Sequence, residues 1–371
     1  MYRFARRAVP FLAAGVIAVG AGSCVFAAQP VPARDAAAFF ASLLCSPTAA
    51  MQAADDYING GEAIPVAQTY DENDYSSGFW TQLPTQSEIV PPQSSAASQA
   101  EPEPVPEGMC PLYAAHYDVY AQGCVNSGAG YVRNCTDWSD ADVSAEMMQQ
   151  LPFDIQLNSA EPQVLIMHTH ATETYELEDK SWCDPEFTAR STDVSINMVS
   201  VGKEMAAVLN AAGINTVQDA TLHDYPSYTG SYANSNATVR KWLAEHPSIK
   251  VVLDVHRDAI QQEDGTRIKP IAEIEGQQTA QVMLICGCDV DGNIPNCRQN
   301  LRFASRWQNA MQALYPGLAR PALFDYRYYN QDLTTGSLLI EVGGHAITLD
   351  EATKAGVYAA KALAALFRGE V

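Results

Sequence analysis

The sequence predicts an α/β fold, a largely parallel sheet with helices on both faces, and two observations carry that prediction. Short apolar runs that read as strands alternate with longer segments of helical periodicity. Three of the runs end in polar residues capable of chemistry, as strands of an open α/β sheet do where their carboxyl ends line a ligand crevice. These runs are Val164 to Met167 before His168, Thr169 and His170; Lys250 to Val255 before His256, Arg257 and Asp258; and Ser337 to Ile340 before Glu341, Val342, Gly343 and Gly344. Four consecutive apolar residues, Val164, Leu165, Ile166 and Met167, fit a strand buried on both faces.

Taken in order, the chain opens with Arg3, Arg6 and Arg7 and then runs without charge from Ala8 to Ala28. A run of about 20 apolar residues is near the length that crosses a bilayer, and preceding arginines hold an N-terminus in the cytoplasm. Residues 1–28 are therefore expected to be a membrane anchor or a signal sequence, with the rest of the chain at the extracytoplasmic face of the cell membrane, or secreted if Val25 to Ala28 is a cleavage site. Residues 29–108 read as an extracytoplasmic linker, largely disordered. From Leu83 to Gly108 the composition is Pro, Ser, Gln, Glu and Ala, with too few apolar side chains to offset the entropy of ordering. Residues 109–371 are long enough for one substantial core.

Within that segment an irregular stretch, Leu177 to Arg190, follows the first strand. A helix is expected from Asp193 to Ala212, because Val194, Met198, Val201, Met205, Val208 and Leu209 recur at helical spacing and Gly213 stops it. A strand at Ile214 to Val217 comes next, then a turn-rich stretch with Tyr225, Tyr228 and Tyr232, then a helix from Asn236 to Glu245. Beyond the second histidine strand, Ala272 to Ile274 and Gln281 to Ile285 read as strands, and Asn300 to Leu314 and Leu349 to Phe367 as helices.

Composition narrows the function. With 43 acids against 22 bases, the net charge of −21 excludes a nucleic-acid partner, which requires a basic stripe to neutralise phosphates. Eight of the nine cysteines lie beyond the apolar run, and none of the groups has a Cys-x-x-Cys spacing. In an oxidising location such cysteines pair more often than they bind metal. Pairing Cys286 with Cys288 would be strained, so Cys297 is expected to bridge to one of them.

His, His and Glu at three strand ends form the donor set of a zinc hydrolase with an open coordination position. His170 and His256 are the expected metal ligands. His168 lies on the same side of the strand as His170 and is its rival. A third ligand should be a carboxylate or another His, and Glu173 follows the two histidines closely. Glu341, an acid ending a buried strand, is the expected general base. Arg257 is a further catalytic candidate, and Arg257 and Asp258 are placed to orient the second histidine.

Five segments, VLIMHTHATETY, RSTDVSINMVSVGKEM, LHDYPSYTGSYANSNATV, VVLDVHRDAI and LLIEVGGHAITLDEA, resemble in that order the stage II sporulation protein P family of cell-wall hydrolases. The resemblance implies a zinc-amidase-like fold for the catalytic domain at 109–371 and an N-acetylmuramoyl-L-alanine amidase acting on peptidoglycan, with endopeptidase activity also associated. It further implies zinc as cofactor, a membrane anchor, and a lytic transglycosylase and a membrane scaffold as partners during engulfment of the forespore. In zinc amidases of the related fold an acid lies four residues before an Asn that opens a helix. Asp193 stands so before Asn197, which makes it the leading third ligand, with Glu173 second. His345 occupies the place where the family pattern has Asn. The segment CGCDVDGNIPNC falls outside the pattern, and its acids are too few and too closely spaced for an EF-hand. The competing expectations are a zinc peptidase and a wall-binding or partner-binding module without catalysis.

Overall fold

In chain order the strands and helices of the computed structural model begin with β1 (Ile89–Val90), β2 (Cys110–Tyr117), β3 (Cys124–Asn126), β4 (Tyr131–Asn134), α1 (Asp140–Met147) and β5 (Val164–Met167). They continue with β6 (Trp182–Cys183), α2 (Met198–Ala211), β7 (Thr216–Gln218), α3 (Ser231–Glu245), β8 (Val251–Asp258) and β9 (Arg267–Ile274). The last are β10 (Gln277–Ala280), β11 (Val282–Gly287), α4 (Cys297–Leu314), β12 (Ala322–Asp325), β13 (Gly336–Gly344) and α5 (Leu349–Arg368). The structure describes residues 104–118, 123–262 and 264–371 and the backbone of β1. The expected anchor at 1–28, and most of the expected linker, lie outside the described residues. Among those described, no helix is long and apolar enough to cross a membrane.

The main sheet has the order β3-β4-β12-β11-β13-β8-β5-β7. Its half β13-β8-β5-β7 is parallel throughout, β11 runs antiparallel to β13, and β3 and β4 form an antiparallel pair. The expected α/β class with a largely parallel sheet is therefore observed. Alternation along β5 explains the run of four apolar residues. Val164 and Ile166 enter the large core beneath α2, α4 and α5, with Val201, Met205, Phe303, Trp307 and Leu363. Leu165 and Met167 face the other way, into a smaller cluster with Val239 of α3 and Val252. Helices thus cover both faces. Gly356 lets α5 approach α2 closely, since a Cβ there would stand 2.9 Å from Val201 Cγ1.

A second sheet, β1-β2-β9-β10 with β6 on β2, packs beside the first. Most of it was not visible as periodicity. In β1, Ile89 and Val90 pair with Tyr117 and His116, inside the stretch that composition reads as linker. The hairpin joining β9 to β10 turns through Glu275 and Gly276, both at positive φ, which is the two-residue turn that matches strand twist.

Two boundaries matter for the site. β8 continues through His256, Arg257 and Asp258, and β13 through Glu341 to Gly344, so these residues sit within strands and not beyond them. Ladder hydrogen bonds use the backbone alone, so polar side chains do not end a strand that still has a neighbour. The register between β8 and β13 shifts between Glu341 and Gly344, a bulge that Gly343 absorbs at φ +70°. The helix expected from Asp193 starts instead at Met198, with Asn197 as its cap, its side chain accepting from the Val199 N–H.

Cys110, Cys135, Cys183, Cys286, Cys288 and Cys297 are free thiols, so the bridge expected of Cys297 is not formed. Cys110 and Cys183 are register partners across β2 and β6. Such partners have Cα atoms about 4.5–5.5 Å apart, within the span of a disulfide. Treatment with a small-molecule disulfide should therefore link Cys110 to Cys183 in the folded protein. Non-reducing peptide mapping should recover that pair, and Cys110→Ser should abolish it; mapping that finds both thiols unreacted would contradict the register.

Candidate active site

The loop after β5 builds half of the site. The Thr169 N–H and hydroxyl both donate to the Asp254 carboxylate, at 2.8 and 2.7 Å, which locks the loop onto β8. The next turn is closed by the Glu173 N–H on the His170 carbonyl. Residues 172–174 are then held between two backbone segments: the Thr174 N–H donates to the Ala189 carbonyl, the Thr172 carbonyl accepts from the Ser191 N–H, and the Glu173 carbonyl accepts from the Met198 N–H. This fixes the Glu173 side chain against β8, where the Arg257 N–H donates to its Oε2 at 3.2 Å.

β8 and β13 supply the other half. His256 and Glu341 are register partners on adjacent parallel strands. The His256 Nε2 side meets Asp254, whose Oδ1 is 2.8 Å away though off the line of a hydrogen bond, and its Nδ1 lies 3.7 Å from Glu173 Oε2. The His170 and His256 rings stand edge to face at 5.2 Å. His170 is buried, its Nε2 is 3.2 Å from the Tyr228 hydroxyl, and its Nδ1 has no partner. Glu341 Oε2 is likewise buried without a partner.

The titration of these groups follows from burial and from each other. Burial pushes His170 well below its usual range, helped by the charges of His256 and Arg190. For His256 burial acts in the same direction but is overcome by Asp254, with Glu173 and Glu341 adding to it, which raises it to about 9. Burial and then the Asp258 charge raise Glu341.

Among the residues expected from the sequence, His170, His256, Glu173 and Glu341 are brought together. Asp193 is not. It is exposed and accepts from the Ser195 N–H and hydroxyl at 2.9 and 2.7 Å, so the leading third ligand caps its own turn at the surface. Glu173, the second candidate, is buried and lies 3.7 Å from His256 Nδ1. His168, the rival of His170, has its Nδ1 2.9 Å from the Val255 carbonyl and its Nε2 3.0 Å from the Gln218 amide nitrogen, so both of its ring nitrogens have protein partners. A Cβ at Gly202 would stand 2.6 Å from this ring, which is why α2 carries glycine there.

Arg257 spends its guanidinium on the carbonyls of Thr174, Ala189 and Asp258, a clamp on the loops and not a group offered to a substrate. Asp258 is paired at 2.8 Å with buried Arg320. His345 is buried, donates its backbone N–H to the Asp258 carbonyl and leaves its Nδ1 without a partner. Sequence reasoning missed Asp254, although an acid two residues before His256 in a strand must share its face. It also missed Arg190, which pairs with Asp224 at 2.8 Å, lies 3.8 Å from Glu173 Oε1 and stacks on Tyr228. No spacing in the sequence links Arg190, Asp224 and Tyr228.

The residues present fit a metal ion by donor chemistry. Two imidazoles share one face of the cluster, a carboxylate lies against one of them, and His170 Nδ1 is a buried donor atom with nothing to bind. Two imidazoles bonded to one zinc at about 2 Å have ring centres about 5 Å apart, as these do. Among the described residues, no group of three His, Cys, Asp or Glu side chains already stands at ligand spacing. Binding therefore requires rotation of side chains within the cluster.

Comparison with known proteins gives the chain a family. The model of the family described as stage II sporulation protein P matches residues 83–364. The chain is 30% identical over 215 residues to stage II sporulation protein P of Bacillus subtilis (strain 168), an alignment covering 55% of this chain and 51% of that one. The chain thus spans about half the length of the curated relative it matches. Among solved structures it is similar to the N-acetylmuramoyl-L-alanine amidase AmiC2 of Nostoc punctiforme, at 12% identity and TM-score 0.33, over 56% of this chain and 96% of that one. It is also similar to an N-acetylmuramoyl-L-alanine amidase from Clostridium difficile 630, at 14% identity and TM-score 0.34, over 57% of this chain and 97% of that one.

The His168 contacts generate a pH prediction. A ring that donates from Nδ1 to a carbonyl and accepts at Nε2 is neutral; the Gln218 amide is oriented by its second bond to the Val199 carbonyl. Burial holds this histidine down at about 4, against 6.5 when unfolded. Between these values the unfolded chain binds a proton that the folded chain does not, so stability falls as pH drops from about 6.5 to 4, by about 3 kcal/mol from this group. Urea melts across that range should show the fall. Ring ¹⁵N shifts at pH 5.5 should show His168 neutral with Nδ1 protonated, and a protonated imidazolium there would contradict the contacts.

Proposed function

This chain belongs to the stage II sporulation protein P family, and we propose that it is a zinc-dependent peptidoglycan hydrolase of sporulation that cleaves the amide between the glycan's lactyl group and L-alanine. The observation that carries this reading is the buried cluster itself: two imidazoles 5.2 Å apart with Glu173 and Glu341 beside them, and donor atoms on His170 and Glu341 that no protein group satisfies. Buried polar atoms without partners are costly, and a site meant only for packing or for wall binding has no use for them.

Zinc held by His170, His256 and Glu173 would polarise the scissile carbonyl and make a bound water acidic. The chain's own groups do the rest. Glu341 Oε2 accepts the proton of the attacking water and returns it to the leaving amine. Burial and the neighbouring Asp258 raise its proton affinity, which suits a group that must both take and give a proton near neutral pH. Asp254 occupies the Nε2 side of His256 and so leaves Nδ1 facing Glu173. The Arg257 N–H and the Arg190 guanidinium hold the two oxygens of Glu173, so the carboxylate cannot swing out of the cluster. Tyr225 and Tyr228, both exposed, form the rim over which a peptide or glycan enters.

The same reading places the hydrolase at the extracytoplasmic face of the membrane, tethered through residues 1–28, where peptidoglycan lies. Membership of the family supports a lytic transglycosylase, which cuts the glycan strand, and a membrane scaffold as its partners.

The test separates metal binding from proton transfer. His170→Ala, His256→Ala and Glu173→Gln should lose both zinc, measured by atomic spectroscopy, and release of peptides from purified peptidoglycan. Asp193→Asn should keep both. Glu341→Gln should keep the metal and lose about 10²-fold or more in rate. Zinc retained by Glu173→Gln and lost by Asp193→Asn would return the third ligand to Asp193. Full activity in Glu341→Gln would remove it from proton transfer, and products cut within the stem peptide would identify an endopeptidase.

A further inference from the structure

His170 offers a metal two nitrogens, and the surroundings of its ring discriminate between them. Nδ1 is buried without a partner, while Nε2 lies 3.2 Å from the Tyr228 hydroxyl. The tyrosine does more than touch this atom. Its ring is stacked on the imidazole with centroids 4.5 Å apart and planes 11° from parallel, so sliding or tilting His170 means moving Tyr228 with it. Tyr228 is in turn held by Arg190, whose guanidinium carbon lies 4.7 Å from the centre of the phenol ring. Arg190 is fixed at its far end by Asp224 Oδ2 at 2.8 Å and by the Thr172 hydroxyl at 3.1 Å. Asp224 also accepts from the Thr172 hydroxyl at 2.6 Å, so the support for Tyr228 returns to the loop that carries His170 and Glu173. On its other sides the imidazole meets the edges of Tyr232 and His256, which leaves the ring little freedom to turn over.

We infer that Tyr228 is a positioning residue for the metal: its hydroxyl accepts the Nε2–H of His170, fixes the imidazole as the Nε2–H tautomer, and so presents an unprotonated Nδ1 to the ion. The inference rests on the zinc reading of this cluster and deepens it. A neutral imidazole has one N–H and one lone pair, and a partner that accepts from one nitrogen leaves the lone pair on the other. Ligand histidines commonly have the second nitrogen tied in this way, and loss of the tie weakens metal binding about 10- to 100-fold. At His256 the second nitrogen lies 2.8 Å from Asp254, a buried acid on the ligand's own strand. At His170 the tie is a partly exposed tyrosine at the rim, so the geometry of this ligand depends on a residue that a substrate can reach.

The experiment uses Tyr228→Phe in the full chain, with Tyr225→Phe as the control, since Tyr225 is an exposed neighbour that makes no contact with His170. Phe keeps the stack and removes only the hydroxyl. Ring ¹⁵N shifts of metal-free protein should show His170 as the Nε2–H tautomer in the parent chain and in Tyr225→Phe, and a mixture with Nδ1–H in Tyr228→Phe. Zinc affinity, by competition with a chelating dye, should fall about tenfold or more in Tyr228→Phe alone. A parent chain with Nδ1 protonated, or a Tyr228→Phe variant with unchanged tautomer and unchanged affinity, would overturn the inference. If the parent chain binds no zinc at all, the functional reading fails, while the ring shifts still decide whether Tyr228 sets the tautomer.

Discussion

Arg257 is the clamp on which the site depends. From the carboxyl end of β8 its guanidinium donates to carbonyls at Thr174, Ala189 and Asp258, and its backbone N–H donates to Glu173. A buried loop carbonyl such as that of Thr174, left unpaired, would cost about as much as a lost hydrogen bond, and the Ala189 carbonyl takes Arg257 as a second donor beside the Thr174 N–H. A rigid fork of donors answers two loops at once, which a flexible ammonium group could not do with the same geometry. The loop carrying Glu173 and the loop carrying Arg190 are thereby held at one height above the strand that carries His256.

Burying this much charge at the end of a sheet demands compensation in kind. Asp254 is met by two donors of Thr169 and by His256, Asp258 by Arg320, and Lys269 by Asp179 and Glu351. Within the cluster of His170, His256, Glu173 and Glu341, Glu341 Oε2 and His170 Nδ1 are buried atoms left without a hydrogen-bond partner. Such atoms have capacity left for a metal, a water or a substrate.

The bulge after Glu341 and the alternation of β5 perform complementary tasks. The rigid part, β5 with both faces packed, fixes the point from which the loop to His170 departs. The bulge, made possible by Gly343 in a left-handed conformation, changes the direction of β13 just after Glu341, and Gly344 there takes up Asp258 as its partner in place of the residue opposite by regular spacing. Strand order then does what no single strand can, since β5, β8 and β13 are adjacent and parallel and bring three segments far apart in the chain to one edge.

The amino-acid sequence by itself determined the α/β class, the burial of β5 on both faces, the pairing of His170 with His256 and the presence of Glu341 beside them. These were legible because strand burial and strand-end chemistry are local patterns, repeated three times in one chain. It did not determine which acid lies against the histidines. Asp193 has the favoured spacing before Asn197, yet its nearest donors are two residues away at Ser195, so it turns to them and stays at the surface. Glu173 is drawn in by the backbone of Arg257, 84 residues further on, a contact that no local pattern encodes. The same holds for Tyr228 against His170 and Arg320 against Asp258, separated by 58 and 62 residues. Which nitrogen of His170 is left open, and which carboxylate lies against His256, were decided only by the tertiary structure, because both follow from partners that chain folding alone brings within reach.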